Sequence, residues 1–194
     1  MKIYMLRHGE TELNVKKVYY GSTDCALTEK GRSQAEALTP VFSSMALDAV
    51  WTSPLKRATK TASIILENND APRRETPLLS EVNFGEWEGK SFFELEGDPL
   101  FEQWCDQWQT TRPPKGESFC DLSERVKAFW TELQDCSAEN VLIVTHHGVL
   151  QQIMATLLNG DPAACWHYAF EQGTYSLVEV TDGFAVLKGH NLRP

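Results

Sequence analysis

The stretch VLIVTHHGVLQQIMATLL, residues 141–158, decides the fold. Val141 to Val144 is a continuous apolar run ending on Thr145, short enough for a strand and apolar enough to be buried on both faces. His146-His147-Gly148 breaks it, and a helix is predicted from about Val149 to Leu158. The same order of strand, polar turn and helix occurs twice upstream. Residues 2–6, KIYML, stop at Arg7-His8-Gly9. Residues 48–52, DAVWT, are followed by Ser53-Pro54, where Ser53 is expected as an N-cap and Pro54 as the first residue of a helix running to about Glu67.

Working outward, Thr28 can cap a helix to about Ser44, with Ala35, Leu38, Val41 and Phe42 on one face. Glu117 to about Leu133 is a second amphipathic helix, carrying Leu122, Val126, Phe129, Trp130 and Leu133. Strands near Tyr175–Val180 and Phe184–Lys188 are joined by Thr181-Asp182-Gly183, a hairpin signal. The turn-rich, aromatic stretch from Asn68 to Gly116 is expected to be an irregular excursion with a short helix around Pro99–Gln109. Strands alternating with helices indicate an α/β fold: three layers, α/β/α, around a mostly parallel sheet with one antiparallel edge strand and a small insertion at about 68–116. Residues 1–194 are expected to form one domain.

Composition narrows the function. Apolar residues make up 42% and charged residues 23% of 194, ordinary values for a globular chain. The net charge of −9 argues against nucleic acid or an anionic membrane as partner. Arg7 arrives too early for a signal-peptide core, so a cytoplasmic location is expected. The five cysteines, Cys25, Cys105, Cys120, Cys136 and Cys165, are scattered with no C-x-x-C pair, and read as reduced thiols.

In parallel sheets, ligands bind beyond the carboxyl ends of the strands. Three such ends carry polar residues with little packing purpose: Arg7 and His8, then Arg57 in the first turn of the next helix, then His146. Taken singly, a histidine at a strand end is usually structural and an arginine near a helix start is usually solvated. Two arginines and two histidines on one rim make an anion pocket, because guanidinium grips phosphate oxygens bidentately. The helix starting near Gly148 adds N–H groups and a positive dipole end. His146 and His147 face opposite ways on a strand, so they are a poor metal pair, and neither metal nor cofactor is expected.

Leu6-Arg7-His8-Gly9-Glu10-Thr11 resembles the signature of the histidine phosphatase superfamily, which includes the cofactor-dependent phosphoglycerate mutases. Four more blocks follow in matching order: Gly21-Ser22-Thr23-Asp24 with Leu27-Thr28-Glu29-Lys30-Gly31, Ser53 to Ala58, Leu79-Ser80-Glu81 with Phe84 to Gly89, and Val144 to Gly148. The resemblance spans nearly the whole chain and implies a phosphohistidine on His8. Arg7, Arg57 and His146 would stabilise phosphoryl charge, and Glu81 would be the general acid and base. It also implies substrate contacts at Asn14, Gly21, Ser22 and His147, with a small phosphomonoester as substrate.

The mutases carry Arg and Tyr just after the catalytic Glu, where this chain has Val82-Asn83-Phe84, so net hydrolysis is expected. Trp104-Cys105 with Trp108-Gln109, Pro114, Gly116-Glu117, Arg125-Val126, Trp166-His167 and Glu171-Gln172-Gly173 resemble the branch that hydrolyses α-ribazole 5′-phosphate in cobalamin nucleotide-loop assembly. Trp87, Phe92, Phe93, Trp104 and Trp108 offer flat surface for its benzimidazole base, although packing is the commoner role of each. The alternatives are a broad-specificity sugar-phosphate phosphatase, a phosphoglycerate mutase and a non-catalytic phospho-ligand module.

Overall fold

The computed structural model describes residues 1–194. In chain order the elements are β1 (Lys2–Arg7), α1 (Glu12–Lys16), α2 (Glu29–Phe42), β2 (Ala49–Thr52), α3 (Lys56–Ile65), β3 (Arg73–Glu75), α4 (Phe92–Leu95), α5 (Pro99–Asp106) and α6 (Phe119–Gln134). They continue through β4 (Asn140–Thr145), α7 (His147–Asn159), β5 (Tyr175–Thr181) and β6 (Phe184–Leu192). Short 3-10 turns occupy Pro77–Leu79, Gly85–Trp87 and Pro162–His167.

The six strands lie in the order β3-β2-β4-β1-β5-β6. β3, β2, β4 and β1 pair in parallel, while β5 runs antiparallel to both its neighbours. The one reversed strand is therefore β5, a place in from the edge, and the hairpin puts β6 outside it. Asp182 and Gly183, both at positive φ (50° and 78°), make that two-residue turn, as its primed geometry requires.

β4 is central and apolar on both faces, and its side chains alternate between two cores. Leu142 and Val144 join Leu6 and Val50 under α2 and α3, packing on Ala35, Leu38, Phe42, Ala62 and Ile65. Val141 and Ile143 join Ile3, Met5 and Trp51 on the other face, against Leu122, Val126 and Phe129 of α6 and Val149, Leu150 and Ile153 of α7. This gives the three layers.

Two local expectations need correction, and one short helix lies outside them. α3 begins at Lys56 with Leu55 as N-cap and no side-chain cap bond, so Ser53 and Pro54 stay outside the helix. The excursion opens as sheet: Arg73-Arg74-Glu75 is an exposed, charged edge strand on β2, with no alternation to betray it. α1 was not foreseen, being only five residues long with none buried. No helix is long and apolar enough to cross a membrane.

Candidate active site

β1 and β4 pair in register from Lys2↔Asn140 to Arg7↔Thr145, so both end at one level. The His8 N–H then bonds Thr145 O at 2.9 Å, which carries the ladder one residue beyond the strand. Arg7, His8 and His146 thus reach one rim. The rings of His8 and His146 lie 5.1 Å apart.

His8 is buried, and its Nδ1 sits 2.7 Å from Gly9 O. A carbonyl only accepts, so Nδ1 carries the proton and the lone pair is left on Nε2. Burial first, then the nearby Arg57 and Arg7 charges, push the imidazole well below its ordinary pKa and keep it neutral. That is the state a histidine nucleophile needs.

Arg57 is fully buried. Its Nε–H donates to His146 Nδ1 at 3.2 Å, Nη1 to Thr23 O at 2.9 Å and Nη2 to Gly21 O at 2.7 Å. The Tyr20 ring lies 4.7 Å from the guanidinium carbon. Because His146 Nδ1 accepts, its proton is on Nε2, which donates to Ser53 Oγ at 2.7 Å. Ser53 Oγ also accepts from Leu55 N at 3.3 Å, ahead of α3. Arg7 Nη1 donates to Phe170 O at 3.1 Å, while its buried Nε has no partner in the chain. Nδ1 of His147 lies 3.3 Å from both Arg7 Nη1 and Phe170 O, and burial followed by the Arg7 charge pushes its pKa down to about 4.

Glu81 reaches the same rim from the excursion. Its carboxylate accepts from Val82 N at 3.0 Å and from Gly148 N, in the first turn of α7, at 3.2 Å. Burial raises its pKa despite those bonds and the nearby Arg57 and Arg7 charges. Its segment is held from behind. Thr145 Oγ1 donates to Leu79 O at 2.6 Å, Arg125 Nη1 donates to Leu78 O at 2.8 Å, and Glu117 accepts from Asn83 N at 3.1 Å while paired with Arg125 at 2.6 Å.

Asn14 lies on α1, its Oδ1 taken by Thr11 N, Thr11 Oγ1 and Gln172 Nε2, so only its Nδ2 donor can face an anion. Gly21 and Ser22 sit on the rim, but their N–H groups and the Ser22 hydroxyl turn toward Glu88. The chain has no cluster of three or more His, Cys, Asp or Glu arranged to hold a metal.

The model of the histidine phosphatase superfamily (branch 1) matches residues 3–193. The chain belongs to that superfamily. It is 40% identical to the adenosylcobalamin/alpha-ribazole phosphatase of Salmonella typhimurium, over 100% of this chain and 97% of the relative. The corresponding Escherichia coli protein is 34% identical over the same shares. The crystal structure of the alpha-ribazole phosphatase of Shigella flexneri superposes with a TM-score of 0.95 at 35% identity, covering 100% and 97% of the two chains.

Within this histidine phosphatase fold, sequence reasoning missed Tyr20, Ser53, Glu88 and Thr145. All four act on another site residue or on its backbone, a role with no signature in residue type. The structure also sorts the aromatics. Trp87 and Trp104 are buried with Phe101 in the core that the sheet shares with α6 and α7, whereas Phe92, Phe93 and Trp166 are exposed.

Proposed function

We propose that this protein is a phosphomonoester hydrolase working through a phosphohistidine on His8, with α-ribazole 5′-phosphate as its substrate. The observation that carries the chemistry is the tautomer of His8: Nδ1–H held by Gly9 O, and a neutral Nε2 between two arginines. In the first step Nε2 attacks phosphorus in line, forming the N–P bond as the ester P–O bond breaks. Arg7, Arg57 and the N-terminal turn of α7 stabilise charge on the phosphoryl oxygens, with Asn14, His146 and His147 around them. Glu81, whose pKa burial raises, serves as the acid and gives its proton to the leaving oxygen. As a carboxylate it then takes a proton from water, whose oxygen attacks phosphorus and frees His8 and inorganic phosphate.

The substrate rests on full-length similarity to the alpha-ribazole phosphatases and on Val82-Asn83-Phe84 after Glu81, where a mutase holds its substrate carboxylate. The cytoplasmic location and single domain expected from the sequence belong to the same proposal. Side-by-side kcat/KM values for α-ribazole 5′-phosphate, p-nitrophenyl phosphate and several sugar phosphates in metal-free buffer test it. Equal values across the panel would replace the narrow substrate by a broad one. Acid-labile ³²P label that disappears in His8→Ala supports the nucleophile, and label persisting in that variant moves the role elsewhere.

A further inference from the structure

Glu88 lies outside the set that performs the proposed chemistry, yet its carboxylate organises one wall of the pocket. Oε1 accepts from Gly21 N at 3.1 Å, Ser22 N at 2.7 Å and Ser22 Oγ at 2.7 Å. Oε2 accepts from Thr23 N at 2.6 Å and from Thr23 Oγ1. Three consecutive peptide N–H groups and two hydroxyls therefore close around one anion. On the other side of the same loop, the carbonyls of Gly21 and Thr23 accept from the two terminal nitrogens of Arg57. The loop also lies directly on the chain beside Glu81: a Cβ at Gly21 would collide with Val82 O.

This arrangement answers a physical problem. Arg57 is fully buried and has no carboxylate partner, and a buried cation must be compensated. The Gly21–Ser22 peptide points its N–H end at Glu88 and its C=O end at Arg57, so one peptide unit links the carboxylate to the guanidinium without direct contact. One N–H on Nε and one on each terminal nitrogen are committed to His146 and the loop. That leaves one N–H on each terminal nitrogen to donate to phosphate oxygens. The aim of that pair is set by the loop carbonyls, and the loop is set by Glu88.

We propose that Glu88 is a positioning residue for phosphoryl recognition, latching the Gly21–Thr23 loop so that its carbonyls aim the Arg57 guanidinium. The proposal rests on the phosphatase reading above. It assigns Ser22 and Thr23 hydroxyls to the latch, not to substrate, and it commits Glu88 to acting through Arg57 alone.

A double-mutant cycle tests this, reading kcat, KM and competitive inhibition by inorganic phosphate with p-nitrophenyl phosphate as substrate. Glu88→Ala is expected to raise both KM and the phosphate inhibition constant at least about tenfold, as a misaimed binding group does. Glu88→Gln, which keeps one acceptor oxygen, should fall between it and the wild type. In an Arg57→Ala background, Glu88→Ala should change the inhibition constant by less than about twofold, since the residue it acts through is gone. Equal effects in both backgrounds, or unchanged phosphate inhibition in Glu88→Ala, overturn the proposal. If Glu88→Ala fails to fold, Thr23→Val removes one latch donor and carries the same cycle, with the same two outcomes. Wild-type protein without turnover or phosphate inhibition would instead remove the phosphatase reading beneath it.

Discussion

Arg7, His8 and His146 enter the pocket from the ends of β1 and β4, two strands paired residue by residue at the centre of the sheet. Glu81 and the Gly21–Thr23 loop enter it from segments with almost no regular backbone, held by side-chain bonds from Thr145, Arg125, Glu117 and Glu88. The first wall is as stable as the sheet, because displacing it breaks backbone ladder and core together. The second rests on a handful of charge-assisted bonds and can be disturbed while the fold stays intact. The proposed nucleophile stands on the first wall, and the proposed proton donor and the proposed aim of Arg57 depend on the second.

The largest expected effect on the second wall comes from Glu81→Gln. The amide keeps the shape but cannot exchange a proton, so kcat should fall at least about a hundredfold, typical of general acid–base groups. Its pKa is raised by burial, and the donor must start protonated. Wild-type kcat/KM should therefore decline as pH rises through that pKa, and the decline should be missing in the variant. A rate near wild type would hand the role to another group.

A smaller effect tests how closely the two walls meet. Gly148, in the first turn of α7, donates its N–H to Glu81, and a Cβ there would stand 2.8 Å from Glu81 Oε1. Alanine suits a helix better than glycine, so Gly148→Ala should fold normally. The carboxylate must move, and kcat should fall about tenfold. A loss of fold, with melting far below wild type, would mean that Gly148 serves the helix and not the carboxylate.

The same contrast governs what was legible in the sequence. The apolar run of β4 and the strand ends at Arg7 and Val144-Thr145 announce the first wall, because burial on two faces writes itself into composition. Arg57 and His146 followed from the convergence of strand ends. Glu81 had no such signal beside Glu75, Glu86 and Glu88, and only resemblance to the superfamily singled it out. Ser53 was misread as a helix cap because serine before proline has a stronger local meaning than a bond to a histidine 93 residues away. Glu88 carries no local signal of its bonds, since its five donors converge only once the loop is folded. β3 escaped because a three-residue charged edge strand has no pattern to read.

Between the walls, His147 sharpens the comparison through stability instead of rate. Its pKa is about 4 in the folded chain against 6.5 unperturbed. The unfolded chain therefore binds the extra proton first, and stability falls as pH drops from 6.5 toward 4. His8 and His146, also depressed, act in the same direction. Denaturant titrations across that range should show a slope shallower by up to about 1.4 kcal/mol per pH unit in His147→Gln. An unchanged slope would mean that the ring is not held neutral against Arg7.

The smallest effect lies at the far end of α7, in the core beneath the first wall. Thr156 Oγ1 is buried without a partner beside a cavity of ≈ 10 Å³ lined by Ile3, Val126, Phe129 and Ile153, among others. A water there would need two or more polar partners, and this lining supplies only the one hydroxyl. Valine has the same shape without the unsatisfied group, so Thr156→Val should raise stability by about 1 kcal/mol, a few degrees in Tm for a chain of this size. Turnover should not change, because helix position 156 is more than two turns from His147 and the strand pairing that holds His8 is untouched. A lower Tm would show that the hydroxyl is bonded in solution. A lower kcat with the same Tm would mean that the first wall, too, can be disturbed without disturbing the fold.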